Sequence, residues 1–156
     1  MKNYVQSIRK FIGTTHIFVP GVRAILVNHQ GEILLQKRTD SLSWGLPAGS
    51  VELDETVMEA VHREVKEETG LDIVTVEPIS LHCGPSQKYT YPNGDQIQCF
   101  SITFIIRQWT GIPIPDGNEC SDLQFFSLSN LPQNMVPTHK ETLKDYARYN
   151  GMFIVR

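Results

Sequence analysis

Between Asp54 and Gly70 the chain reads as one amphipathic helix with an apolar stripe and an acidic edge that make conflicting demands. At roughly 100° per residue, Val57, Val61 and Val65 stack into a stripe flanked by Met58 and Ala60, which must bury against another element. Asp54 stands where an N-cap is expected, and Gly70 where a left-handed residue closes a helix. Glu55, Glu59, His62 and Lys66 fall on the solvent side. Glu59 and Arg63 have the favourable i,i+4 order for an ion pair, and Arg63 also reaches Glu67.

Glu64, Glu67 and Glu68 lie at the border of the apolar stripe rather than opposite it. Like charges at this spacing repel, and repulsion grows where screening by water weakens. The group also sits near the C-terminal end of the helix, where the macrodipole disfavours anions. Something cationic must offset it. All-oxygen ligands of this kind suit a hard divalent ion, Mg²⁺ or Mn²⁺, which uses one or two carboxylates together with water and phosphate oxygens. The competing reading is a solvated charge run.

The surrounding chain supplies a scaffold for such a helix. Tyr4, Val5, Ile8, Phe11 and Ile12 predict a short N-terminal helix stopped by Gly13. Ile17 to Val27 and Glu32 to Arg38 read as strands joined by a turn at Asn28–Gly31, and residues 43–50 as a loop punctuated by Gly45, Pro47 and Gly49. Leu71 to Leu81 returns to strand. Tyr89–Tyr91 and Gln96–Trp109 form a hairpin about Asn93-Gly94, a dipeptide strongly favoured in tight hairpin turns. A strand over Leu123–Leu128 follows, and then a helix with Thr138 and Glu141 as a capping box and Gly151 at its end. Mixed strands with few helices imply an α+β chain in layers, a single domain over residues 1–156.

Composition excludes several function classes. With 14 Lys and Arg against 17 Asp and Glu, the chain lacks the basic field of a protein that grips nucleic acid polymers or an anionic membrane. Three cysteines, Cys83, Cys99 and Cys120, make neither a disulfide framework nor a zinc spacing. No apolar run is long enough to span a bilayer and no leader pattern is present, so a reduced, cytoplasmic protein is expected.

Gly49, five residues, Glu55, seven residues and then Arg63-Glu64-Val65-Lys66-Glu67-Glu68-Thr69-Gly70-Leu71 fill every fixed position of the Nudix box. By these residues the chain resembles the Nudix hydrolase superfamily, in particular its small MutT-like members. Trp44-Gly-Leu-Pro47-Ala-Gly49 also resembles the usual lead-in, with Ala48 in place of a frequent glycine. The resemblance implies an α/β/α sandwich with a mixed β-sheet. It implies Mg²⁺- or Mn²⁺-dependent hydrolysis of a nucleoside diphosphate linked to another group, by water attack on phosphorus. Carried over by position, Glu64, Glu67, Glu68 and the Gly49 carbonyl would be metal ligands. Arg63 would hold the glutamates by ion pairing, and Glu55 would support the helix.

The general base belongs either to the box helix or to a later loop, where Glu119 is the candidate. Arg38 is a candidate phosphate contact, because guanidinium binds phosphate bidentately, although a surface ion pair is an equal alternative; Arg23 is a weaker candidate. Trp44, Tyr89, Tyr91 and Phe126 are aromatic candidates for stacking a base, with core packing as the alternative. Pro85 falls one residue short of an ADP-ribose signature, and Tyr89 lies near a diadenosine polyphosphate signature. The resemblance to small MutT-like members implies a small nucleotide as substrate, a canonical or oxidised nucleoside triphosphate, ADP-ribose or another nucleotide sugar, with triphosphates slightly ahead of ADP-ribose. A homodimer is compatible with the resemblance. The alternative is a non-catalytic Nudix-fold nucleotide sensor, though such modules commonly lose box glutamates, and all are present here.

Overall fold

The computed structural model describes residues 3–156. Helix α1 (Tyr4–Ile12) is followed by strands β1 (Ile17–Leu26), β2 (Ile33–Arg38), β3 (Trp44–Gly45) and β4 (Ala48–Ser50), then helix α2 (Val57–Thr69). Strands β5 (Asp72–His82), β6 (Lys88–Thr90), β7 (Gln96–Thr110) and β8 (Cys120–Phe126) precede helix α3 (Pro137–Ala147) and strand β9 (Ile154–Val155).

The larger sheet runs β4-β1-β7-β5-β9, with β6 also on β7, and the smaller runs β3-β2-β8. β1 and β7 are parallel, whereas β1 with β4 and β5 with β7 are antiparallel, so the sheet is mixed. β1 is buried on both faces, which is why its second half reads as a continuous apolar run. Val22, Ala24 and Leu26 pack with Ala60, Val61 and Val65 of α2. Ile25 and Val27, from the opposite face, pack with Ile79, Ile105 and Leu143 of α3. Helices therefore cover both faces of the sheet, the α+β sandwich that the pattern implies.

Local differences have physical causes. The N-cap of α2 is Thr56 rather than Asp54, and its side chain and that of Glu59 form a reciprocal capping box. Asp54 instead takes a left-handed backbone, at φ 64°, in the preceding turn. Glu59 is thereby spent on Thr56 and does not pair with Arg63. Helix α3 starts from Val136 with Pro137 in its first turn, so Thr138 and Glu141 make no capping box, and its last helical residue is Ala147 rather than one beside Gly151. Residues 43–50 carry two short strands, because Trp44 and Gly45 pair with β2 and Ala48–Ser50 with β1. Helix α1 forms where expected yet buries no residue fully, and Phe11 is 90% exposed.

Candidate active site

Strand β4 brings Gly49 against α2. A Cβ on Gly49 would fall on the Glu64 carboxylate, so glycine here leaves that side chain the position it holds. A Cβ on Gly21, on the neighbouring strand, would come within 3.0 Å of the Gly49 carbonyl oxygen. Two bare Cα atoms thus hold this edge of the sheet close to the acidic end of the helix.

Arg63 organises the acidic group. Its Nε and Nη2 donate to the two oxygens of Glu55 at 2.6 and 2.8 Å. Nη1 donates to Glu64 at 2.6 Å and to Glu67 at 3.3 Å, and Nη2 also donates to the Ser50 carbonyl at 2.9 Å. Glu55 in turn accepts the Glu52 backbone N–H, which fixes the turn ahead of α2. The Glu55 hydrogen bonds are the main reason the Arg63 guanidinium is held above its usual range, despite partial burial.

Glu68 is 4% exposed and makes no ion pair among the described residues, and one of its oxygens accepts the Ala48 backbone N–H at 2.8 Å. Burial pushes its carboxyl up to about 8, with Gln36 pulling down and the Glu64 charge pushing up further. Burial pushes Glu64 up to about 7; Arg63 pulls it down, and Glu67 and Glu119 push it up. A buried carboxylate without a cation is costly, and this is the observation that fits a divalent ion to the site. The donor set is all oxygen: Glu64, Glu67, Glu68 and the Gly49 carbonyl. As placed, Glu64 turns to Arg63 and Glu68 to Ala48, and among the described residues no three acidic, His or Cys side chains converge at ligand distance.

These residues line a cavity of about 410 Å³ that also reaches Arg38, Tyr91 and Glu119. Its size is that of a small-ligand pocket. Asp116 accepts the backbone N–H groups of Asn118, Glu119 and Cys120, and Thr39 donates its N–H to the Glu119 carbonyl at 3.0 Å, so both sides of the Glu119 loop are tied. Arg38 reaches the cavity already paired with Asp40, through bonds of 2.9 and 2.7 Å, and lies 5.9 Å from the Tyr91 ring centroid. Burial alone would lower its pKa, but Asp40 raises it above the ordinary value.

The remaining candidates divide. Tyr89 lies beside the main cavity in a smaller pocket with Tyr91, Cys99 and His139. Arg23 does not line the main cavity: it is 2% exposed and donates to Thr142 Oγ1 and Gln87 Oε1, both at 2.8 Å. A strand that is buried on both faces leaves its long side chain no route to solvent, so Arg23 is corrected to a buried structural group. Trp44 and Phe126 pack edge to face with centroids 5.0 Å apart, against the α3-side core. Sequence reasoning missed Asp40, whose spacing two after Arg38 was the available signal, and Asn3, the N-cap of α1, and Gln6 within it, which line the cavity.

The NUDIX domain family matches residues 17–146, and the chain belongs to that family. It is 36% identical over 129 residues to the ADP-ribose pyrophosphatase of Methanocaldococcus jannaschii, covering 81% of this chain and 72% of that protein. It is 32% identical over 130 residues to a Bacillus subtilis protein provisionally named an 8-oxo-dGTP diphosphatase, covering 83% and 80%. The MutT NUDIX hydrolase of Burkholderia pseudomallei superposes with a TM-score of 0.69 at 27% identity, covering 81% of this chain and 96% of that one. Family and relatives together make this a Nudix pyrophosphohydrolase, of a family that works with divalent metal.

Proposed function

We propose that the protein hydrolyses the diphosphate linkage of a small nucleotide, with Mg²⁺ or Mn²⁺ held by Glu64, Glu67, Glu68 and the Gly49 carbonyl. The observation that carries this reading is the desolvated pair Glu64 and Glu68 on one cavity wall, with Glu68 in no ion pair among the described residues. A bound divalent ion neutralises phosphate charge and lowers the pKa of water.

The chain's own groups supply the rest. Arg63 keeps Glu64 and Glu67 aimed along the cavity wall while Glu55 fixes Arg63 itself. Glu119 is the proposed general base: it lines the cavity, is exposed, and makes no ion pair among the described residues. Its carboxylate takes a proton from the water that attacks one phosphorus, the P–O bond to the leaving phosphate breaks, and a nucleoside monophosphate and a second phosphate-bearing product leave. Arg38 is proposed to contact the phosphate, exchanging Asp40 for a phosphate oxygen.

A nucleotide panel with and without Mg²⁺, run in ¹⁸O-water with products identified by mass spectrometry, tests this reading. Metal-dependent release carrying one ¹⁸O on a phosphate product is expected. No release across the panel would favour a non-catalytic sensor.

A further inference from the structure

Strand β2 breaks its apolar pattern at one buried position. Leu34, Gln36 and Arg38 alternate onto the same face of the strand. Leu34 packs with Val61 and Val65 of α2, and Arg38 reaches the cavity. Gln36 stands between them and is 1% exposed. A glutamine is seldom fully buried, and a buried amide ordinarily has a partner for each of its polar atoms.

Gln36 does not. Its Nε2 donates to the Leu46 carbonyl at a long 3.4 Å, and its Oε1 is buried with no hydrogen-bond partner among the described residues. Turning the amide over would set Oε1 against the Leu46 carbonyl, so the N–H side must face that segment. The segment is itself firmly held. The Leu46 N–H donates to His139 Nδ1 at 3.0 Å, and the Ala24 N–H donates to the Pro47 carbonyl at 2.8 Å. Two residues beyond Leu46, the Ala48 N–H holds Glu68 at 2.8 Å. The N–H side of Gln36 bears on Glu68 as well. Burial raises the Glu68 carboxyl, and Gln36 is the strongest of the groups that oppose the rise, ahead of the Ala48 N–H and the Arg38 charge. An amide has this effect by presenting N–H to a carboxylate.

The orphaned Oε1 follows from that orientation. A methionine here would fill the core without burying an unpaired acceptor. What glutamine adds is an N–H group beside the Glu68 carboxylate, and it adds it from behind, because Gln36 does not line the main cavity.

We propose that Gln36 is a positioning residue for Glu68: it fixes the carboxylate against the Leu46–Ala48 segment for a divalent cation, and serves the site rather than the stability of the fold. This rests on the cation reading of the site given above.

The test is Gln36→Met, which keeps the length of the side chain and removes its polar end. It relieves the orphaned Oε1 and takes from the Leu46 carbonyl only a long bond, so the melting temperature of the metal-free protein should stay within about 4 °C of wild type. Mn²⁺ affinity, read by electron paramagnetic resonance, should fall about ten- to a hundredfold. The Mg²⁺ concentration for half-maximal turnover should rise by a similar factor. Wild-type Mn²⁺ affinity in Gln36→Met overturns the inference. Weakened affinity together with a melting temperature lowered beyond that margin also overturns it, because Gln36 would then be a structural group. In both cases metal-dependent hydrolysis by the wild type leaves the reading above standing. A wild type that neither binds Mn²⁺ nor hydrolyses any nucleotide overturns that reading and this inference with it.

Discussion

Gly49 and Glu64 occupy space that a single methyl group would make mutually exclusive: a Cβ on Gly49 falls on the Glu64 carboxylate. The glycine at the head of the motif therefore leaves room for the carboxylate of the glutamate fifteen residues later in its present position, apart from any role of its carbonyl. Gly49→Ala should displace Glu64 and lower kcat by about a hundredfold, the cost of a misplacement on the order of 1 Å. Steady-state kinetics beside a circular dichroism melt check this, and an active Gly49→Ala enzyme with wild-type kcat would contradict it.

Arg63 and Glu55 form a two-bond fork that a lysine cannot reproduce. Both side chains are mostly buried, at 21% and 13% exposure. Arg63→Lys should cost about 1.5–3 kcal/mol of stability, the range for hydrogen bonds to charged groups, and turnover should fall as Glu64 loses its partner. Urea unfolding gives the first quantity and initial rates the second.

His139 accepts the Leu46 backbone N–H on Nδ1 at 3.0 Å, inside the α3-side core. Burial first, then the charges of Arg23 and Arg38, push its pKa well below the ordinary 6.5. The unfolded chain therefore binds the proton first as pH falls. Stability from this group is complete above about pH 6.5 and declines progressively below it. Melting temperatures measured from pH 8 to pH 5 should drop through that window, and His139→Asn, which keeps an acceptor and cannot ionise there, should flatten the drop.

Thr56 caps α2 through the Glu59 N–H, and Glu59 returns the bond to the Thr56 N–H. Thr56→Ala should cost about 1 kcal/mol. A double-mutant cycle should find Glu59 coupled to Thr56 and uncoupled from Arg63, which inverts the pairing that helical spacing alone suggests.

That inversion shows where sequence reading reaches its limit. Helical periodicity was enough to place Val57, Val61 and Val65 against the sheet and Glu64, Glu67 and Glu68 on one edge, because those positions depend only on the period of the helix. It could not choose between two acceptable partners for Glu59, because the choice turned on a cap displaced from Asp54 to Thr56 by the left-handed turn. Glu119 and Arg38 could be nominated from residue type, yet their joint presence in one cavity depends on β2 pairing with β8, a long-range contact. Arg23 misled for the converse reason. It carries the right chemistry on a strand whose two faces are both covered, and coverage by α3 is a property of the assembled layers. The wall formed by α1 had no motif to announce it.

Direct binding of Mn²⁺, followed by electron paramagnetic resonance alongside turnover, bears most directly on the central claim that the Glu64–Glu68 edge is a divalent-cation site serving diphosphate hydrolysis. The wild type should bind the ion and hydrolyse its substrate, while Glu64→Gln and Glu68→Gln should each weaken binding and lower turnover by at least about a hundredfold with the fold intact by circular dichroism. Wild-type Mn²⁺ affinity and near-wild-type rates in both variants at saturating Mg²⁺ would contradict the claim.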